Sequence, residues 1–196
     1  ALDPGRLQAL ADGMDAIAHQ DDPVGVERRR WTRPNGLEIS EVSVPLGVIG
    51  VVFESRPNVA ADAAALCVRS GNGVILRGGS EASGTVAAII AAMRAGLRAA
   101  GLPDAAVQTP PDADRGWVTA LLSLHDGGVD LVIPRGGEPL IAHVREHARV
   151  PVLSHLDGIC HVYVDRDADP AMALDIVVNA KMRRTGVCNA AETLLV

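Results

Sequence analysis

From residue 46 onward the sequence alternates short, continuously apolar β-rich runs with longer helical stretches, and this alternation restricts the fold more than any other feature. The β-rich runs lie at 46–53, 73–77, 105–109, 129–133 and 150–155, and helical spacing fills 59–69, 82–100, 112–124 and 138–147. A strand with one face in water alternates apolar and polar residues. These strands are apolar throughout, so both of their faces must be covered. Such strands, separated by helices of this length, predict an α/β domain with a doubly wound parallel sheet. Sheets of that kind take ligands beyond the carboxyl ends of their strands, which makes the strand-to-helix loops the place to look for chemistry.

Two further segments flank this unit. Leu7, Leu10, Ala11, Met14, Ile17 and Ala18 recur at helical spacing behind the start signal Asp3-Pro4, predicting a helix over 4–19. Extended stretches at 28–33 and 37–44 bracket Pro34-Asn35-Gly36, a hairpin signal. The apolar phase slips from Leu37 and Ile39 to Val42 and Val44, which predicts a bulge near Ser40. After His155 the pattern restarts with a strand at 159–165, a helix at 170–183 and a last strand from Glu192. The predicted boundary falls near Gly158: a first domain over 1–158 with a hairpin arm at 28–44, then the start of a second α/β domain over 159–196. The chain begins without Met and stops in the apolar Thr193-Leu194-Leu195-Val196, so it reads as an interior piece of a longer protein.

Composition removes several function classes. With 48% hydrophobic and 21% charged residues, the chain has the means to bury a core. Phe53, Tyr163, Trp31 and Trp117 are its only aromatic residues, too few for the stacking platforms that hold single-stranded nucleic acid. A net charge of −6 lacks the electrostatic footprint of a phosphate-backbone binder, so no nucleic-acid partner is expected. The longest apolar runs, 44–53 and 86–93, fall short of the ~20 residues that span a bilayer, so no membrane segment is expected either. Cys67, Cys160 and Cys188 are odd in number and widely spaced, which disfavours a disulfide framework or a cysteine-rich zinc site and fits a reducing cytoplasm.

Two strand ends stand out. The run at 73–77 leads through Arg77-Gly78-Gly79-Ser80 into a helix, and the run at 129–133 leads through Pro134-Arg135-Gly136-Gly137 into another. Glycines let a ligand approach the backbone, and helix N-termini favour anions, so the pair points to a phosphate-bearing cofactor. Plain tight turns are the alternative, since neither loop is a standard nucleotide fingerprint. Cys188 follows Lys181, Arg183 and Arg184, and nearby cations raise thiolate content, making it a candidate nucleophile. The competing reading is a small buried hydrophobe, which is the expectation for Cys67 and Cys160 among their apolar neighbours. His143 and His147 spell the H-x-x-E-H pattern of a zinc helix, but no third ligand is evident and that face reads as solvent-exposed; no metal is expected. His19 and His125 read as surface positions, and His155 and His161 as structural ones.

Taken in order, Val44-Pro-Leu-Gly-Val-Ile-Gly50, Glu54-Ser-Arg-Pro-Asn58, Ser70-Gly-Asn-Gly-Val-Ile-Leu-Arg-Gly-Gly-Ser-Glu81, Ile133-Pro-Arg-Gly-Gly137, Asp157-Gly-Ile-Cys-His-Val-Tyr-Val-Asp165 and Gly186-Val-Cys-Asn-Ala190 resemble the gamma-glutamyl phosphate reductases, a branch of the aldehyde dehydrogenase superfamily. The likeness is dense from Trp31 to Val196. It implies reduction of the acyl phosphate L-glutamyl 5-phosphate by NADPH to L-glutamate 5-semialdehyde, a step of proline synthesis. On this reading 1–158 is the dinucleotide-binding domain and 159–196 the beginning of the catalytic one.

The resemblance makes Cys188 the nucleophile: its thiolate displaces phosphate, and hydride then reduces the resulting thioester. The Cys188 N–H and the Asn58 side chain would hold the oxyanion. Arg77 stands where the superfamily has a lysine that reaches the adenosine ribose, and Ser80 where it has a carboxylate. A carboxylate repels a 2′-phosphate, so Arg77, Gly78, Gly79 and Ser80 read as an NADP(H) site. Arg135, Gly136 and Gly137 read as the second cofactor turn, near the pyrophosphate and nicotinamide. The hairpin resembles an oligomerisation arm, implying a homo-oligomer, and Thr185 replaces a usual proline. His155 stands where hydrolytic members carry the glutamate that activates water, so phosphate rather than water should accept the acyl group in reverse. Two other classes stay open: a different oxidoreductase of the superfamily, and a non-catalytic nucleotide-binding fragment.

Overall fold

The computed structural model describes residues 3–54, 56–124, 128–154 and 158–196. The chain divides into two compact units, Ala1–Ser154 and His155–Val196. The predicted surface position His125 and the predicted site position His155 lie outside the described residues.

The first unit opens with α1 (Pro4–Ala18), started by Asp3, whose Oδ1 accepts from Arg6 N at 2.8 Å. Strands β1 (Glu27–Thr32) and β2 (Glu38–Val42) form the expected antiparallel hairpin, closed by a Gly36 N to Arg33 O bond with Gly36 at φ 84°. The bulge is not near Ser40. It lies on the opposite strand between Glu27 and Arg29, so Arg28 is the extra residue. The α/β core follows as β3 (Val48–Phe53), α2 (Asn58–Arg69), β4 (Gly73–Arg77), α3 (Ser83–Ala99), β5 (Val107–Gln108), α4 (Gly116–Ser123), β6 (Leu131–Arg135) and α5 (Glu138–His147).

The four core strands are parallel in the order β5-β4-β3-β6. Residues alternate between two cores along β3. Ile49, Val51 and Phe53 pack with Ala60, Ala64, Ile90 and Leu97 of α2 and α3, while Val52 packs with Leu121, Leu122 and Val144 of α4 and α5. Helices therefore cover both faces, as the continuous apolar strands require. At the amino end of the sheet, buried Asn72 accepts from Leu46 N and Gly47 N through Oδ1, and Asp130 Oδ2 accepts from Val48 N at 2.7 Å.

Three elements are shorter than their sequence patterns, each for a local reason. The 105–109 strand contracts to Val107–Gln108 because a 3-10 turn at Asp104–Ala106 takes up its start. The helix expected from 112 begins at Gly116: Asp112 Oδ1 accepts from Asp114 N, and Asp114 Oδ1 from Gly116 N, so the carboxylates bind backbone donors in turns instead. Among the described residues of the run at 150–155 one parallel bridge remains, Val132 with Val152, because Pro151 before it and Pro134 after it have no N–H to extend the ladder.

In the second unit β7 (Cys160–Tyr163) and β8 (Ala191–Leu195) pair in parallel around α6 (Pro170–Met182), whose N-cap Asp169 accepts from Met172 N at 2.7 Å. Among the described residues no helix is long and apolar enough to cross a membrane.

Candidate active site

The strand order places a topological switch at β3: the chain moves outward through β4 and β5 on one side, then returns to lay β6 on the other. A cleft of about 770 Å³ opens at the carboxyl ends of these strands, lined by Glu54, Arg77, Ser80, Glu81, Arg115 and His143 among others. A second concavity of about 620 Å³, between α1 and the α2–α3 face, is walled largely by aliphatic side chains such as Leu10, Met14 and Met93 and lacks this convergence of charges.

Arg77 ends β4 and ties two elements together. Its Nη2 donates to Ala113 O at 2.9 Å and Asp114 O at 3.4 Å, fixing the loop that leads into α4. Its Nε is buried without a hydrogen-bond partner among the described residues, an orphaned donor of the kind that a ligand commonly satisfies. Gly78 is bare for packing: a Cβ there would stand 3.0 Å from the Phe53 ring and 3.2 Å from Val86. Gly79 is buried, and Ser80 is exposed at the head of the 3-10 turn Ser80–Ala82. The structure thus brings Arg77, Gly79 and Ser80 into one cleft, together with the Glu81 carboxylate that the sequence reading left unassigned.

The second glycine turn is held by another unassigned residue. Glu54, immediately after β3, accepts from Gly137 N at 3.0 Å through Oε2, and Glu54 N donates to Arg135 O at 3.2 Å. A Cβ on Gly136 would stand 2.7 Å from Glu54 Cδ and from Leu140 Cδ2. The signal available in the sequence was a carboxylate at the first position beyond a parallel strand, inside a stretch already singled out.

The H-x-x-E-H face is not a solvent face, which corrects the sequence reading. His143 and His147 are half-buried and stacked, with ring centroids 4.2 Å apart. His147 Nδ1 lies 2.9 Å from His143 O, and His143 Nε2 lies 3.2 Å from Thr119 Oγ1 across the cleft wall between α5 and α4. Among the described residues no group of three or more histidine, cysteine or acidic side chains is placed to hold a metal ion. Asn58, the first residue of α2, is exposed and donates to Asp62 Oδ2 at 3.3 Å.

Cys188 lies in the second unit, exposed on a turn closed by an Ala190 N to Val187 O bond of 3.0 Å. The turn is anchored from below by buried Ala190 and Ala191. Its carbonyl is tightly enclosed. A Cβ on Gly158 would collide with Cys188 O, and the Cys160 thiol donates to the same oxygen at 3.6 Å. Cys160, expected in the core, is only half-buried and reaches the Cys188 loop. Cys67 is in the core as expected, and burial pushes its thiol up to about 11. Lys181 Nζ is paired with Glu192 at 3.5 Å.

Residues 7–196 match the aldehyde dehydrogenase family profile. The chain belongs to the aldehyde dehydrogenase family. Within that family it is 58% identical, over 195 residues and 100% of its length, to the gamma-glutamyl phosphate reductase of Parvibaculum lavamentivorans, of which it covers 46%. The crystal structure of the Thermotoga maritima gamma-glutamyl phosphate reductase superposes with a TM-score of 0.88 at 41% identity, covering 99% of this chain and 47% of that one. The Saccharomyces cerevisiae enzyme of that name gives 0.67 at 37% identity, covering 98% and 48%. The chain spans about half the length of the relatives it matches.

Proposed function

We propose that the protein containing this chain is a cytoplasmic, NADPH-dependent reductase of L-glutamyl 5-phosphate that yields L-glutamate 5-semialdehyde for proline synthesis through a thioester on Cys188. The observation that carries this reading is the 58% identity to a gamma-glutamyl phosphate reductase along the entire chain. The cleft fits a dinucleotide in kind: it lies at the sheet's switch point, Gly79 of the first glycine turn lines it, Glu54 on its wall bonds Gly137 of the second, and the buried Arg77 Nε has no partner among the described residues. Arg77, Gly79 and Ser80 would hold the adenosine 2′-phosphate end, with Gly78 letting their turn pack against Phe53, and Arg135, Gly136 and Gly137 the pyrophosphate end. NADPH, when bound, supplies the hydride that reduces the thioester.

The chain's own residues account for the other steps. The Cys188 sulfur, presented on its turn, attacks the acyl carbon; the carbon–oxygen bond to phosphate breaks, and inorganic phosphate leaves. The Cys188 N–H steadies the oxyanion, a contribution that a preorganised donor makes at ~10²- to 10³-fold. With histidine in place of a carboxylate at 155, water is a poor acyl acceptor and phosphate the preferred one in reverse. The hairpin, exposed along nearly all of both strands, would join a second copy. The test is NADPH oxidation by the full-length protein with and without acyl phosphate. Oxidation only with the acyl phosphate, lost in Cys188→Ala, is expected. Oxidation of an aldehyde in phosphate-free buffer at a comparable rate would favour a hydrolytic dehydrogenase instead.

A further inference from the structure

Glu54 is a charged group of the cleft that the proposed reaction does not use. It stands at the point where β3 and β6 part, and its carboxylate already occupies the turn that would receive phosphate: Oε2 accepts from Gly137 N at 3.0 Å. The turn is bare on the side where the carboxylate lies, since a Cβ on Gly136 would stand 2.7 Å from Glu54 Cδ. The backbone link from Glu54 N to Arg135 O keeps the two loops adjacent. The glycine turn therefore holds an anion that the chain itself provides.

We infer that Glu54 sets the cofactor affinity of this cleft, competing with the cofactor's pyrophosphate for the Gly137 N–H. The inference rests on reading the cleft as the NADPH site. One N–H cannot serve two anions, and two like charges a few ångströms apart in a partly enclosed cleft repel. The Gly137 donor belongs to the backbone at the start of α5 and cannot withdraw, whereas Glu54 is exposed and turns about three side-chain torsions. The carboxylate is the partner that moves. Its return to Gly137 N lowers the affinity for reduced and oxidised cofactor alike and favours release of the spent form.

Glu54→Gln removes the charge while keeping the shape and an oxygen able to accept from Gly137 N. In the full-length protein, NADPH binding is read by fluorescence, and adenosine 2′-monophosphate, which lacks the pyrophosphate, by calorimetry. Glu54→Gln is expected to bind NADPH about 10-fold more tightly, the scale of one charge-assisted hydrogen bond, with adenosine 2′-monophosphate unchanged. Glu54→Ala gives the same comparison if the Gln variant does not fold. NADPH affinity that is equal or weaker in the variant overturns the inference and leaves the cofactor site standing. An equal gain for adenosine 2′-monophosphate overturns competition at the turn. Failure of wild type and variant alike to bind NADPH overturns the cofactor reading and this inference with it.

Discussion

Phe53, Leu76 and Leu122 of the first unit are almost completely buried, whereas Leu174, Val178 and Met182 on α6 of the second stand half or more exposed. The first unit has a four-stranded sheet with a core on each face; the second has two parallel strands and a helix with no buried residue. Burial of apolar area is what repays the entropy of ordering a chain, and a parallel pair of strands normally needs cover on both faces. The unit with the cofactor-type cleft thus has its own source of stability. The unit with the candidate nucleophile shows an apolar surface of the kind that packs against further protein.

The largest effect should come from separating the two. A protein of residues 1–154 is expected to unfold cooperatively in denaturant, and a peptide of residues 155–196 to show no transition, as followed by circular dichroism. A cooperative transition in the peptide would show that the second unit holds a core of its own.

Next come two glycine substitutions that ask what each unit's tight contact is for. Gly158→Ala drives a methyl group into the Cys188 carbonyl, so the turn must shift; a loss of at least ~10²-fold in kcat is expected in the full-length protein, the order seen when reacting groups are misplaced by about 1 Å. Gly78→Ala crowds Phe53 and Val86 and should cost about 1–3 kcal/mol of stability with kcat little changed. The reverse pattern would mean that the bare position in the first unit serves catalysis and that in the second serves packing.

The strand–helix alternation and the two-faced core were legible in the sequence because continuous apolar runs admit few other arrangements. Boundaries were lost where side chains intervened. Asp112 and Asp114 bind backbone donors and delay α4, and Pro151 removes the donor that a fifth strand would need. The bulge fell on Arg28 instead of Ser40 because apolar phase on one strand does not say which strand carries the extra residue. At the cleft, the glycines and Arg77 announced themselves by residue type. Glu54, Glu81, Thr119 and His143 did not, because their places depend on how loops from different strand ends converge. The enclosure of the Cys188 carbonyl by Gly158 and Cys160 is likewise a long-range contact without a local pattern.

A smaller effect sharpens the cofactor side. Arg77→Ala is expected to weaken NADPH binding by about 10-fold while leaving NADH binding nearly unchanged, with equal losses for both cofactors assigning Arg77 to the loop contact with Ala113 alone. The smallest concerns Cys67. Its thiol ionises at about 9.0 when unfolded and about 11 when buried, so the folded form retains the proton over that window. The stabilisation is complete below pH 9 and is lost as the pH rises through 11, by roughly 3 kcal/mol at most. Denaturant midpoints measured from pH 8 to 11 should fall less in Cys67→Ala than in the wild type, and parallel curves would contradict this.

The central claim is that Cys188 carries the acyl group, and mass spectrometry of the full-length protein tests it most directly. After incubation with L-glutamyl 5-phosphate in the absence of NADPH, a glutamyl adduct is expected on the peptide containing Cys188, with phosphate released in equal amount and NADPH clearing the adduct. No adduct, or one on Cys160 or Cys67 with Cys188 unmodified, would contradict the account.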